Sequence, residues 1–211
     1  MARRAGPRIL LVDYGMGNLR SVGKALEALG ARVETSGAPA AFARADGVVL
    51  PGVGAFAEAM KRLRAARLAD PLRKWVSAGR PFLGICLGFQ LLFEESWEFG
   101  RHRGLGALAG RVVSFPRGLT VPHMGWNRLV PTKRTWLLKD LPERPYVYFV
   151  HSFFPKPADR RIVAAQTLYG VTFASAIERG SVAGVQFHPE KSQRAGAGIL
   201  GNFLAMVARR A

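Results

Sequence analysis

At 211 residues, with 49% hydrophobic and 21% charged residues, the chain can bury a sizeable core as one domain over residues 1–211, and it has the balance of a soluble globular protein. Its one cysteine excludes an intramolecular disulfide and fits a reducing, cytoplasmic setting, and no apolar run is long enough to span a bilayer. A net charge of +17 would suit nucleic acid, an anionic membrane or an acidic protein. The basic residues are scattered, however, from Arg3, Arg4 and Arg8 through the stretch 61–74 to Arg209 and Arg210, with no nucleic-acid-binding motif among them, and they read as solvated surface.

Residues 8–13 predict a first buried strand, followed by the glycine-rich turn Tyr14-Gly15-Met16-Gly17-Asn18. Leu19, Val22, Leu26 and Leu29 then mark a helical face that Gly30 closes. Residues 31–35 predict a second strand and 46–50 a third, which ends in Pro51-Gly52-Val53-Gly54. Helix is predicted from 56 to about 68 and again from 71 to 77. The next apolar run ends at Cys86, set between Gly84 and Gly88, and Phe89, Leu92 and Phe93 at i, i+3 and i+4 predict a helix after it. After Gly100 the runs are short (104–115, 126–130, 146–150, 162–165, 171–175 and 181–187), with Pro116, Pro122, Pro131, Pro155 and Pro157 read as turns between them. Helical spacing returns over 198–208. The fold class is therefore α/β: a mostly parallel central sheet flanked by helices, with additional antiparallel strands in the C-terminal half.

Chemistry concentrates at three points. Gly-x-Cys-x-Gly at 84–88 is the cysteine form of a nucleophile elbow, in which small neighbours allow a strained strand-to-helix turn. On its own it reads equally as a buried structural cysteine. A thiol nucleophile needs a base, and of His102, His123, His151 and His188 only His188 directly follows a clear strand. Glu190 lies two residues on, across Pro189, where its carboxylate can orient the imidazole. Oxyanion stabilisation can come from the Leu87 N–H and from the glycine-rich loop Gly52, Val53 and Gly54. That loop lacks the Gly-Lys-Ser/Thr of a phosphate-binding loop, and the cysteine and histidines show no metal-ligand spacing, so neither metal nor cofactor is expected.

Pro-Gly-Val-Gly at 51–54, Gly-Ile-Cys-Leu-Gly-Phe-Gln at 84–90 and His-Pro-Glu at 188–190 resemble the class I (triad) glutamine amidotransferases over nearly the whole chain. Within that family the resemblance is closest to the glutaminase subunits of imidazole glycerol phosphate synthase, a histidine-pathway enzyme. It is carried by the segments 13–19, 122–127 and 148–153 and by Lys191-Ser192. The resemblance implies a triad of Cys86, His188 and Glu190, with L-glutamine held by Gln90, Glu98, Ser152 and Phe153. Relatives often carry another residue at 153, so a backbone role is expected there. It also implies ammonia transfer within a heterodimer to a (β/α)8-barrel cyclase subunit met by Asn18, His123, Trp126, Tyr148 and Lys191, with no nucleic acid or membrane as partner. Two other readings stand beside it: a glutaminase serving another acceptor synthase, and a non-catalytic binding subunit that uses the basic surface.

Overall fold

The structure, a computed structural model, describes residues 6–210; Arg3 and Arg4 of the basic set lie outside the described residues. Its strands are β1 (Arg8–Val12), β2 (Arg32–Ser36), β3 (Gly47–Leu50), β4 (Phe82–Ile85), β5 (Phe93–Ser96), β6 (His102–Arg103), β7 (Leu108–Ser114), β8 (His123–Arg128), β9 (Val130–Pro131), β10 (Tyr146–His151), β11 (Phe153–Pro157), β12 (Val163–Tyr169), β13 (Val171–Arg179) and β14 (Val182–Val185). The helices are α1 (Leu19–Ala28), α2 (Phe56–Ala65), α3 (Ala69–Ser77), α4 (Leu87–Gln90) and α5 (Gln193–Ala208). An eight-stranded sheet runs β2-β1-β3-β4-β14-β13-β12-β9. It is parallel from β2 to β14 and antiparallel from there to β9. The mixed α/β architecture is the one the sequence predicts.

Side chains that alternate along the parallel strands feed two separate cores, as a sheet covered on both faces requires. Ile9, Leu11, Val49, Leu83, Ile85 and Val185 pack with Val22 and Leu26 of α1 and with Ile199, Phe203 and Val207 of α5. Leu10, Val12, Val48, Leu50, Phe82 and Val182 pack on the opposite face with Phe56, Met60 and Leu63 of α2 and Leu72, Trp75 and Val76 of α3. Helix α1 ends in a Schellman closure around Gly30 at φ +90°: the Gly30 N–H donates to Glu27 and the Ala31 N–H to Leu26.

Two smaller sheets wall one side of the site. β8 and β10 form an antiparallel pair, and β11-β7-β5-β6 form a four-stranded sheet. Two sequence expectations change here. The helix after Cys86 is a single turn, because Phe93, predicted as helical, instead starts β5 and pairs with Leu108 of β7. Pro131, Pro155 and Pro157, read as turn residues, lie in strands instead, Pro131 at the end of β9 and the other two within β11. β11 is an edge strand, where a missing N–H costs no ladder hydrogen bond.

Candidate active site

Three neighbouring strands deliver the site at their carboxyl ends, where open α/β sheets collect their functional groups. β3 runs into the 51–54 loop, β4 into Cys86, and β14 into His188. Cys86 is fixed by its N–H, which donates to the Val185 carbonyl of the adjacent β14 at 2.8 Å. Its backbone stands at φ 52°, ψ −110°, a region L-residues rarely occupy and one that costs about 1–3 kcal/mol. The flanking glycines permit the turn by close approach. A Cβ on Gly84 would lie 2.8 Å from the Gly88 carbonyl oxygen, and one on Gly88 would collide with the Leu50 carbonyl oxygen. With α4 only four residues long, its aligned dipole is small, and the local N–H groups matter more than any helix field.

His188 is the third residue after β14, and its N–H donates to the Tyr148 carbonyl of β10 at 2.9 Å. Ser192 ties the same turn together: its hydroxyl donates to the His188 carbonyl at 2.6 Å and accepts the Tyr148 N–H at 3.0 Å. Nδ1 of His188 meets Glu190 Oε1 at 2.9 Å, with the two side chains 3% and 1% exposed. Nε2, the other ring nitrogen, has no hydrogen-bond partner among the described residues. Burial alone would lower the pKa of this imidazole, but Cys86 and then Glu190 outweigh it and raise the value to about 10. His188 lines the cleft that Cys86 shares.

That cleft, of about 360 Å³, is lined by Val53, Gly54, Cys86, Leu87, Gln90, Glu98, Ser152, Phe153 and His188. Every residue the sequence analysis assigns to catalysis, oxyanion stabilisation or glutamine lines it, apart from Gly52 and Glu190, which stand directly behind. Gly52 packs too closely for a side chain, since a Cβ there would lie 2.5 Å from the Tyr14 hydroxyl and 2.9 Å from Leu87 Cβ. Burial, and then Cys86, pushes the pKa of that phenol well above its ordinary value, and its hydroxyl donates to the Pro51 carbonyl at 3.0 Å. Glu98 does two things at once: it lines the cleft, and its Oε2 accepts the Phe56 N–H at the start of α2 at 2.6 Å. The Phe153 carbonyl accepts from Gln90 Nε2 and from His151 Nδ1, each at 2.9 Å.

Pro122, Val150, His151 and Gln186 are at the site although no sequence motif marks them as part of it. The first three line the cleft, and Gln186 lies behind the sulfur. Gln186 carries a signal that could have been read: it is the one amide in the apolar run 182–187. His151 is paired with His123. A carbonyl can only accept, so His151 Nδ1 donates to Phe153, and His151 Nε2 accepts from His123 Nδ1 at 3.0 Å. The assignment of His123 to a partner-facing surface therefore needs correction. Its ring is 3% exposed and stacked between Phe149 and Tyr169, because inward positions of β8 face the aromatic core. Trp126 is exposed, Tyr148 lies edge-on to it at 6.0 Å, and Lys191 Nζ sits 5.7 Å over the Tyr148 ring. Asn18 stands half-buried before α1. Among the described residues no cluster of metal-ligating side chains occurs.

A strained cysteine, a buried imidazole–carboxylate pair and a glycine-rich loop around one cleft define a class of thiol-dependent acyl-transfer site. Residues 10–207 match the family model described as "Glutamine amidotransferase class-I", and the chain belongs to that family. Its relatives narrow the class. A Salinibacter ruber protein named "Imidazole glycerol phosphate synthase subunit HisH" is 51% identical over 203 residues, covering 93% of each chain. An Aquifex aeolicus protein of the same name is 51% identical, covering 93% of this chain and 95% of its own. Among solved structures, PurLQS from Thermotoga maritima superposes with a TM-score of 0.74 over 97% of this chain and 98% of its own, at 20% identity, a likeness of fold.

Proposed function

We propose that residues 1–211 form a single glutamine amidotransferase domain, the cytoplasmic glutaminase subunit of an imidazole glycerol phosphate synthase. In this reading Cys86 is the nucleophile, His188 the acid and base, and Glu190 the group that orients it. The thiolate attacks the side-chain carboxamide carbon of L-glutamine. The negative charge that develops on the carboxamide oxygen is met by the Leu87 N–H and by the loop of Gly52, Val53 and Gly54. The imidazolium gives its Nε2 proton to the departing nitrogen, and ammonia leaves. A water then loses a proton to Nε2 and attacks the thioester; the carbon–sulfur bond breaks, and glutamate departs. Gln90, Glu98, Ser152 and Phe153 hold the amino-acid end of the substrate, with the Glu98 carboxylate suited to its ammonium group.

The observation that carries this reading is the buried His188–Glu190 pair, with His188 lining the cleft that holds Cys86. Ammonia passes to a (β/α)8-barrel cyclase partner that docks on the face of Trp126, Tyr148 and Lys191 and also meets Asn18. The half-exposed Trp126 and the cation–aromatic pair beside it are the chemistry that supports this face. The relatives' shared name, at about half identity over nearly the full chain, favours this acceptor over other synthases. The test is Cys86→Ala in the reconstituted complex. Glutamine hydrolysis and glutamine-dependent synthesis are lost, while synthesis from added ammonia continues. Glutamate release at the wild-type rate by this variant would refute the assignment of the nucleophile.

A further inference from the structure

Gln186 is a primary amide, fully buried on a run whose neighbours Val185 and Phe187 are apolar and equally buried. Its partners fix which way round it stands. The Phe153 carbonyl can only accept, so the atom of Gln90 bonded to it at 2.9 Å is the nitrogen. The second N–H of that nitrogen donates to Gln186 Oε1 at 3.1 Å. With its oxygen committed to Gln90, the Gln186 amide turns its own nitrogen toward Cys86, and Nε2 lies 3.7 Å from Sγ, within reach of an N–H···S bond. The sulfur's proton has a separate acceptor, the Val150 carbonyl at 3.9 Å. The two neighbours thus act in opposite senses. The Val150 carbonyl accepts from the thiol but not from the thiolate, whereas an amide N–H favours the anion.

We propose that Gln186 is a catalytic residue of the glutaminase reaction, donating an N–H to the Cys86 sulfur and favouring its thiolate form, with Gln90 as the positioning residue that sets the amide's orientation. The proposal rests on Cys86 being the nucleophile. The donor acts twice in the cycle. It supports the thiolate before attack, and it supports the sulfur again when the thioester carbon–sulfur bond breaks and the electron pair returns to Sγ. Gln186 does not line the cleft, so it touches the reacting sulfur without touching the rest of glutamine.

The test uses the full chain and iodoacetamide as the probe of the thiolate, with rates measured from pH 5 to pH 9. Gln186→Met removes the donor at similar volume. Its alkylation profile moves about one unit to higher pH. In the complex, kcat falls about tenfold and KM for glutamine stays within twofold. A merely structural role would raise KM and lower the melting temperature but leave the profile in place. Gln186→Glu keeps the acceptor for Gln90 but turns an oxygen toward the sulfur, and shifts the profile at least as far in the same direction. Should Gln186→Met fail to fold, Gln186→Glu and Gln90→Met carry the test, the latter with a smaller shift of the same sign. Profiles that superimpose on the wild type overturn the proposal. Cys86→Ala separates the two levels: if it still hydrolyses glutamine, the nucleophile assignment falls and this proposal with it. If it is inactive while Gln186→Met leaves the profile unmoved, the role of Gln186 alone is refuted.

Discussion

Glu190→Gln isolates one charge at the centre of the site. The wild-type carboxylate accepts from His188 Nδ1 at 2.9 Å with both side chains nearly solvent-free, so solvent screens the pair little. The imidazole pKa, raised from 6.5 to about 10, owes its rise to Cys86 first and Glu190 second. Assigning Glu190 the value of a hydrogen bond to a charged group gives about 2 kcal/mol. The sign follows from linkage: a group whose folded pKa lies above its unfolded value contributes stability that is fully present below about 6.5 and fades as pH rises through about 10. Urea unfolding of Glu190→Gln is therefore expected to show a loss of about 2 kcal/mol at pH 6 that narrows by pH 10.5. Glutaminase kcat falls at least about tenfold from the same loss of charge stabilisation, and by up to about 10⁴ where the new amide presents its NH2 to Nδ1 and inverts the tautomer. A kcat within twofold of the wild type, or a stability difference equal at both pH values, would refute the orienting role.

Two further outcomes are expected. Gly88→Ala drives a Cβ into the Leu50 carbonyl oxygen, a backbone atom that cannot step aside, and should cost about 3 kcal/mol. Its melting temperature should then fall by roughly 6–12 °C, whereas Gly201→Ala, with open space around it on α5, leaves the melting temperature unchanged or raises it. A tolerated Gly88→Ala would mean that the elbow does not need this close approach. Burial lowers the pKa of His123 to about 4, and burial together with His123 and His188 takes His151 to about 3, against the pull of its bond to Phe153. Both rings are neutral in the folded chain. Their stability is present above about 6.5 and is lost as pH falls toward these values, by roughly 1.4 kcal/mol per pH unit for each ring. Unfolding free energies of wild type and His123→Gln at pH 6.5 and pH 5 check this: the variant's slope is shallower, and equal slopes would count against neutral burial.

Local sequence marks the elements whose geometry is made within a few residues. The parallel strands, the Cys86 elbow and His188-Pro189-Glu190 are of this kind, because a hydrophobic run, a pair of glycines and a proline act on their own neighbourhood. Elements made by partners distant in the chain were not visible in that way. Phe93 has helical spacing behind it, yet its pairing with Leu108 turns it into a strand, a tertiary contact that overrides a weak local preference. Pro155 and Pro157 look like punctuation until β11 is known to be an edge. His123 lay in a loop-like segment punctuated by Pro122 and Gly125. Only the pairing of His123 with His151 across β8 and β10 shows that its ring points inward.

The same division runs through the site itself. The cysteine, the imidazole–carboxylate pair and the glycine loop leave three adjacent parallel strands, so their relative positions are set by one rigid sheet. Ser152 and Phe153 come from the junction of β10 and β11, which belong to two other sheets. The wall they form is tied back to α4, the turn of helix after the nucleophile, by Gln90 through the Phe153 carbonyl. A displacement of β11 is therefore felt by the Gln90 amide before it reaches the sulfur. β10, by contrast, holds the reacting groups directly, through Tyr148 at His188 and Ser192 and through Val150 at the sulfur. Changes in β11 are thus expected to act mainly on glutamine binding, and changes in β10 and the parallel strands mainly on turnover.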